Sequence, residues 1–279
     1  MLRKNTRPII VGAEPWSSPG SGENARIGIL LSHGFTGNPS SMRWLGERLG
    51  ARGFAMELPR LPGHGTHWRD MAKTTYDDWR AGFVEALHEL KARTDHVIVA
   101  GLSMGGTIAL DVAWEFERDL AGVVAINATV LEREGLLAKL APVLQYIVPI
   151  APAKAAGLVE NDAAREGVDE KAYGFVPAAA GNSFLSQLGR IRRQLPQLHL
   201  PVLVAYSPQD HSVPPANSRA ILDLIGTWGE ELVLPRSYHL ATMDLDRELL
   251  EERIAEFARR VALERKQPRR DRQSEQPAG

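Results

Sequence analysis

The 279-residue chain contains no cysteine. That absence excludes disulfides, thiolate metal sites and a cysteine nucleophile together, and it suits a reducing cytosol. An excess of charge of either sign is missing too: 33 lysines and arginines stand against 34 aspartates and glutamates, a formal net charge of −1. No global field therefore holds the protein on nucleic acid or anionic lipid, and a small neutral or mixed partner is expected. Nowhere do roughly 18 apolar residues run together as a membrane span requires. The basic start, MLRKNTRPII, lacks the apolar stretch of a secretory signal, so a cytoplasmic protein is expected. Neither a phosphate loop nor a dinucleotide-binding glycine pattern occurs, GLSMGG not matching G-x-G-x-x-G, and no cofactor is expected.

What is present is a large apolar fraction, 44%, enough for a sizeable core in one domain carrying an insertion. Short β-type runs (RIGILLSHG, GFAMELPRL, HVIVAGLS, LAGVVAINA, PVLVAYSPQD, EELVLPRS) alternate with helical patterns. Near-continuous apolar strands separated by helices imply an α/β fold, with a mostly parallel central sheet covered on both faces. Asn38 and Pro39 mark one helix start, and Thr75 with Asp78 forms a capping box ahead of Trp79, Phe83, Leu87 and Leu90 at helical spacing. The alternation breaks between residues 131 and 193. That segment is apolar or rich in alanine and glycine, shows no strand pattern, and reads as an inserted helical cap on a core formed by 1–130 and 194–264. Its dense apolar face, Leu136, Leu137, Leu140, Val143, Leu144 and Ile147, suits an acyl-chain tunnel, with packing inside the cap as the competing account. At most a transient membrane contact through the cap is expected. Residues 265–279, without large apolar side chains, read as a disordered tail.

The stretch VIVAGLSMGGTIAL, Val97 to Leu110, carries chemistry. Gly101, Ser103 and Gly105 give G-x-S-x-G between a strand and a helix, the context of a strained turn that presents a serine nucleophile. A neutral hydroxyl needs a base, and the base needs a carboxylate to orient it. In the chain order of such folds the acid follows the serine and the histidine comes last. Asp210, where a buried strand runs out into a turn, is the candidate acid, with Asp223 its rival inside a helical pattern. His239 is the remaining histidine past the last strand; His211 adjoins the acid too closely to be held by it. Backbone N–H groups of Met104 and of Phe35, in SHGFTGNP, are the candidate oxyanion donors, while His33 is expected to brace that loop. In LPGHGTHWRD, His64, His67 and Asp70 have a spacing reminiscent of metal ligands, but a Gly/Pro loop without a carboxylate cluster makes structural hydrogen bonding the better account, and no metal is expected.

With HGFTG, RLPGHGTH, GLSMGG, QDHSVPPAN and SYHLATMD in this order, the chain resembles bacterial monoacylglycerol lipases and the small carboxylesterases of the α/β-hydrolase superfamily, from about Ile27 to Arg260. The resemblance implies an α/β-hydrolase fold and hydrolysis of a small lipid or other carboxylic ester. It matches Ser103 to the nucleophile, Asp210 to the acid, His239 to the base, and Phe35 and Met104 to the oxyanion donors. It also aligns Glu170, in VDEKAYGFVP, with a cap glutamate that recognises glycerol, although the apolar residues after Tyr173 depart from the charge expected there. A general carboxylesterase, or a thioesterase or acyltransferase using the same machinery, remains an alternative.

Overall fold

The computed structural model describes residues 7–132, 143 and 145–266. Its main sheet has seven strands: β1 (Trp16–Ser18), β2 (Ile27–Ser32), β3 (Ala55–Leu58), β4 (His96–Leu102), β5 (Leu120–Ile126), β8 (Val202–Tyr206) and β9 (Gly229–Val233). They lie in the order β1-β3-β2-β4-β5-β8-β9, parallel throughout except for β1, which runs antiparallel to β3 at one edge. Between them come α1 (Ser40–Ala51), α2 (Trp68–Met71), α3 (Tyr76–Lys91), α4 (Met104–Glu115), α5 (Ala178–Leu185), α6 (Leu188–Gln194), α7 (Ala216–Ile225) and α8 (Arg247–Lys266). Strands β6 (Ile150–Pro152) and β7 (Phe175–Pro177) form a separate antiparallel pair.

Alternation along each strand divides the core in two, because successive side chains leave opposite faces. Val97 and Val99 of β4 join Trp79, Phe83 and Leu87 of α3 and Ile108 and Val112 of α4 on one side. Ile98, Ala100 and Leu102 join Met42, Leu45 and Leu49 of α1 and Leu250, Ile254 and Phe257 of α8 on the other. Parallel strands buried on both faces leave ligands the crevice at their carboxyl ends. The capping box of α3 is formed, with the Thr75 N–H donating to Asp78 Oδ2 at 2.8 Å. Asn38 caps α1 chemically, its Oδ1 accepting the Ser40 N–H at 3.0 Å, although regular helix begins two residues later.

Two expectations need correcting. The inserted segment was expected to lack strands, yet β6 and β7 pair within it. Each is only three residues long and contains a proline, Pro152 or Pro177, so neither leaves a period of two and both read as breaks; prolines are tolerated in a two-stranded ribbon with open edges. The last helix also takes in the first two residues of the expected tail, and Arg265 donates to the carbonyls of Arg118 and Glu117, each at 2.8 Å; residues 267–279 lie outside the described ones. Of the apolar cap face, Leu136, Leu137, Leu140 and Leu144 lie outside the described residues, while Val143 and Ile147 are 60% and 71% exposed. No helix of the described residues is long and apolar enough to cross a membrane.

The inserted segment sits on the loops that follow β2 and β3. Tyr173 donates its hydroxyl to the Gly63 carbonyl at 2.9 Å, and its N–H donates to the Thr36 carbonyl at 3.1 Å. Lower down, Asp111 of α4 accepts from Tyr76 Oη at 2.8 Å, Arg80 Nε at 3.1 Å and Arg190 Nη1 at 2.7 Å, tying α3, α4 and α6 around one buried carboxylate.

Candidate active site

Ser103 occupies the corner between β4 and α4 at φ 56° and ψ −122°. A non-glycine residue there stores about 1–3 kcal/mol of backbone strain, which the surroundings must impose. They do so by close approach. A Cβ on Gly101 would lie 2.2 Å from the Gly105 carbonyl carbon, and one on Gly105 would lie 2.4 Å from the Ser32 carbonyl oxygen. The start of α4 is thereby pressed against the ends of β4 and β2, and the Ser103 N–H donates to the Ile126 carbonyl of β5 at 2.8 Å. The result is a half-buried serine at the head of a helix, as the G-x-S-x-G pattern implied.

Asp210 follows β8. Its Oδ1 accepts the N–H groups of Ser212 at 2.8 Å and Val213 at 2.7 Å, and its Oδ2 pairs with His239 Nδ1 at 2.8 Å. The two side chains are 1% and 12% exposed. Because a carboxylate only accepts, Nδ1 carries the proton and Nε2 is the basic nitrogen. Burial pushes the His239 pKa down, but the hydrogen bond and charge of Asp210, with the charges of Glu170 and Asp162, outweigh it and hold the pKa above its ordinary value. The rival Asp223 is exposed on α7. His211 turns away, its Nδ1 donating to Asp162 Oδ1 at 2.7 Å.

Asn127, which sequence reasoning did not single out, joins these elements. Buried just past β5 at φ 44°, it donates from Nδ2 to the His239 carbonyl at 2.9 Å, while its Oδ1 accepts the Ser207 N–H at 2.9 Å. It thus ties the strand bonded to Ser103 to the loops of Asp210 and His239. A polar residue ending the run VVAI is the only trace it leaves in the sequence, and asparagine is one of the few types at ease with positive φ.

The loop after β2 passes directly over the serine, since a Cβ on Gly34 would lie 3.3 Å from Ser103 Cβ. Phe35, half-buried, packs its ring on Trp79 and Phe184 at centroid distances of 5.8 and 6.2 Å. Met104, fully buried, begins α4, where N–H groups point out of the helix. His33 braces the loop as expected: Nδ1 donates to the Gly34 carbonyl at 3.0 Å and Nε2 accepts the Leu61 N–H at 3.3 Å. Burial pushes its pKa down to about 4, so the ring is neutral and takes both roles.

Glu170 lies in non-helical chain beside this loop, its Oε2 3.3 Å from where a Gly37 Cβ would stand. Its carbonyl accepts from Asn38 Nδ2 at 3.0 Å and Ser40 Oγ at 3.1 Å, and its N–H donates to Asn161 Oδ1 at 3.1 Å. Burial raises the carboxyl pKa to about 7, against the opposing pull of His239. The loop 61–70 is engaged otherwise. His64 Nδ1 donates to the Pro62 carbonyl at 3.1 Å, His67 accepts the Arg69 N–H at 3.1 Å, and Asp70 accepts from Thr66 Oγ1 at 2.9 Å. Among the described residues no group of three or more carboxylates and histidines could hold a metal ion.

Comparison with known proteins agrees with this architecture. The chain is 37% identical over 263 residues to the thermostable monoacylglycerol lipase of Bacillus sp. strain H-257, covering 90% of this chain and 96% of that one. It is 25% identical to a carboxylesterase of Bacillus subtilis strain 168, over 90% and 98% of the two chains. A solved structure from work on the metagenome-derived lipolytic enzymes LipS and LipT superposes with a TM-score of 0.83 at 39% identity, covering 91% of this chain and all of that one. The monoacylglycerol lipase of Paleococcus ferrophilus, 20% identical over 89% and 98% of the chains, shares the fold with a TM-score of 0.73. The family profile described as serine aminopeptidase S33 matches residues 23–246. By extent and identity alike, the chain belongs to this family of α/β-hydrolases, Hydrolase_4.

Proposed function

We propose that the protein is a carboxylic ester hydrolase whose principal substrates are monoacylglycerols, working through Ser103, His239 and Asp210. The observation that carries the reading is the buried Asp210–His239 pair at 2.8 Å on the sheet end that also presents Ser103 at positive φ. In this reading His239 Nε2 takes the proton of Ser103 as Oγ attacks the ester carbonyl, and Asp210 fixes the tautomer and stabilises the imidazolium. The N–H groups of Phe35 and Met104 receive the oxyanion. His239 then protonates the leaving alcohol, and water repeats the steps to release the acid from the acyl-enzyme.

Residues 131–193 serve as the cap, and Glu170 reads the glycerol head. Supporting that role, its carboxylate stands against the loop of the oxyanion donor rather than in open solvent. At a pKa of about 7 it can accept from, or donate to, a glycerol hydroxyl. The absence of cysteine supports a cytoplasmic setting. The test is hydrolysis of monolauroylglycerol beside trilaurin, p-nitrophenyl butyrate and lauroyl-CoA, with Glu170→Ala in parallel. Monolauroylglycerol is expected to be preferred, and Glu170→Ala to erode that preference by about tenfold or more while sparing the short ester. Activity on the short ester alone, indifferent to Glu170, would remove the glycerol assignment; preference for the thioester would replace the substrate class.

A further inference from the structure

Asp162 is a buried carboxylate between the half-buried Asn161 and Ala163, and its partners stand on both sides of the acid–base pair. Its Oδ2 accepts the His211 N–H at 3.0 Å and Ser212 Oγ at 3.3 Å, and its Oδ1 accepts His211 Nδ1 at 2.7 Å. Its carbonyl accepts the Leu240 N–H at 2.9 Å. His211 follows Asp210 in the chain, and Leu240 follows His239. One residue of the inserted segment thus holds the chain neighbours of both.

The clasp is reciprocal. Asp244, fully buried beyond His239, accepts on its two carboxylate oxygens the N–H groups of Ala164 and Arg165 in the insert, each at 2.8 Å. It also accepts the Tyr238 N–H at 2.8 Å. Carboxylates withdrawn from water persist only where donors replace the lost solvent, and here the partner element supplies them, from its backbone and, for Asp162, also from the His211 and Ser212 side chains. Two buried carboxylates, one from each side, fix the insert: that of Asp162 binds the Asp210 loop, and that of Asp244, together with the Asp162 carbonyl, binds the His239 loop.

We propose that Asp162 is a positioning residue for hydrolysis, which couples the seating of the inserted segment to the geometry and charge of the Asp210–His239 pair. The inference rests on the triad reading given above. Besides holding the two loops, the carboxylate adds negative potential at His239, favouring the imidazolium that forms when the serine proton is taken. The charged and titratable groups around this clasp are His211, Tyr238, Asp210, His239, Glu170, Asp244 and Arg165.

The test is the pH dependence of kcat and KM for p-nitrophenyl butyrate in the wild type, Asp162→Asn and His211→Ala, with fluorophosphonate labelling of each. Asp162→Asn is expected to lower kcat on the order of tenfold through misplaced loops, with KM within about twofold. Its acid limb moves to lower pH, because His239 loses a neighbouring negative charge. His211→Ala, removing a side chain that is 55% exposed, loses one contact of the clasp and lowers kcat by a smaller factor. A wild-type kcat with an unmoved acid limb in Asp162→Asn overturns the proposal, as does a loss confined to KM. Should Asp162→Asn not fold, His211→Ala decides: reduced kcat supports the clasp, and wild-type kcat refutes it. Failure of the triad reading is distinguishable, since the wild type itself would then carry no label at Ser103.

Discussion

The turn at Ser103 and the segment carrying Glu170 meet over the same end of the sheet, but they are held by opposite means. The turn is fixed by backbone pressed on backbone: the Cβ positions of Gly101 and Gly105 fall 2.2 and 2.4 Å from main-chain atoms, closer than any side chain could be admitted. The segment is fixed by side chains reaching for main-chain groups, Asn38 and Ser40 for the Glu170 carbonyl, Asn161 for its N–H, and Asp162 for the acid loop. Close-packed backbone has one solution and tolerates no added atom. Polar tethers can be exchanged singly, each costing about 1 kcal/mol between neutral groups and more at the buried Asp162 carboxylate. Placement of Ser103 is therefore rigid by construction, whereas the segment carrying Glu170 can change without unfolding what lies beneath.

A pair of alanine substitutions would sharpen the contrast most. Gly105→Ala drives a Cβ into the Ser32 and His33 carbonyl oxygens, at 2.4 and 2.6 Å, and is expected to cost about 3 kcal/mol or more in urea unfolding together with nearly all activity. Gly167→Ala in the insert sits at φ 74° with open space around its Cβ position, and is expected to cost about 1–2 kcal/mol with activity retained. Equal costs would dissolve the distinction.

A smaller effect concerns pH. Under the proposed mechanism the raised His239 pKa should set the acid limb of kcat/KM above the ordinary histidine value of about 6.5, because the base must be neutral to accept the serine proton. Glu170→Gln removes one of the negative charges responsible. The limb of p-nitrophenyl butyrate hydrolysis should then move to lower pH, with the plateau kcat little changed. An unmoved limb would show that the insert shapes the pocket without entering its electrostatics.

The same contrast explains what could be read from the chain beforehand. The sheet and the two-faced core were legible because near-continuous apolar runs alternate with helical patterns in the sequence itself, and the candidate residues Ser103, Asp210 and His239 each follow the end of such a run. Strand β1 and the β6–β7 ribbon were not, since three residues are too few for a period to register. Asp162, Asn127 and Asp244 left almost no local signal. Apart from Leu245, which donates to its neighbour Asp244, their side-chain partners lie from 6 to 112 residues away along the chain, and a buried polar residue is recognisable only once its donors have been brought to it.

The most direct measurement of the central claim is turnover of monolauroylglycerol by Asp210→Asn and Asp223→Asn, with Ser103→Ala as the floor. The account predicts that Asp210→Asn loses on the order of 10³- to 10⁴-fold in kcat, approaching Ser103→Ala, while Asp223→Asn matches the wild type and all three melt as folded proteins. Retained activity in Ser103→Ala or Asp210→Asn, or a collapse in Asp223→Asn instead, would contradict it.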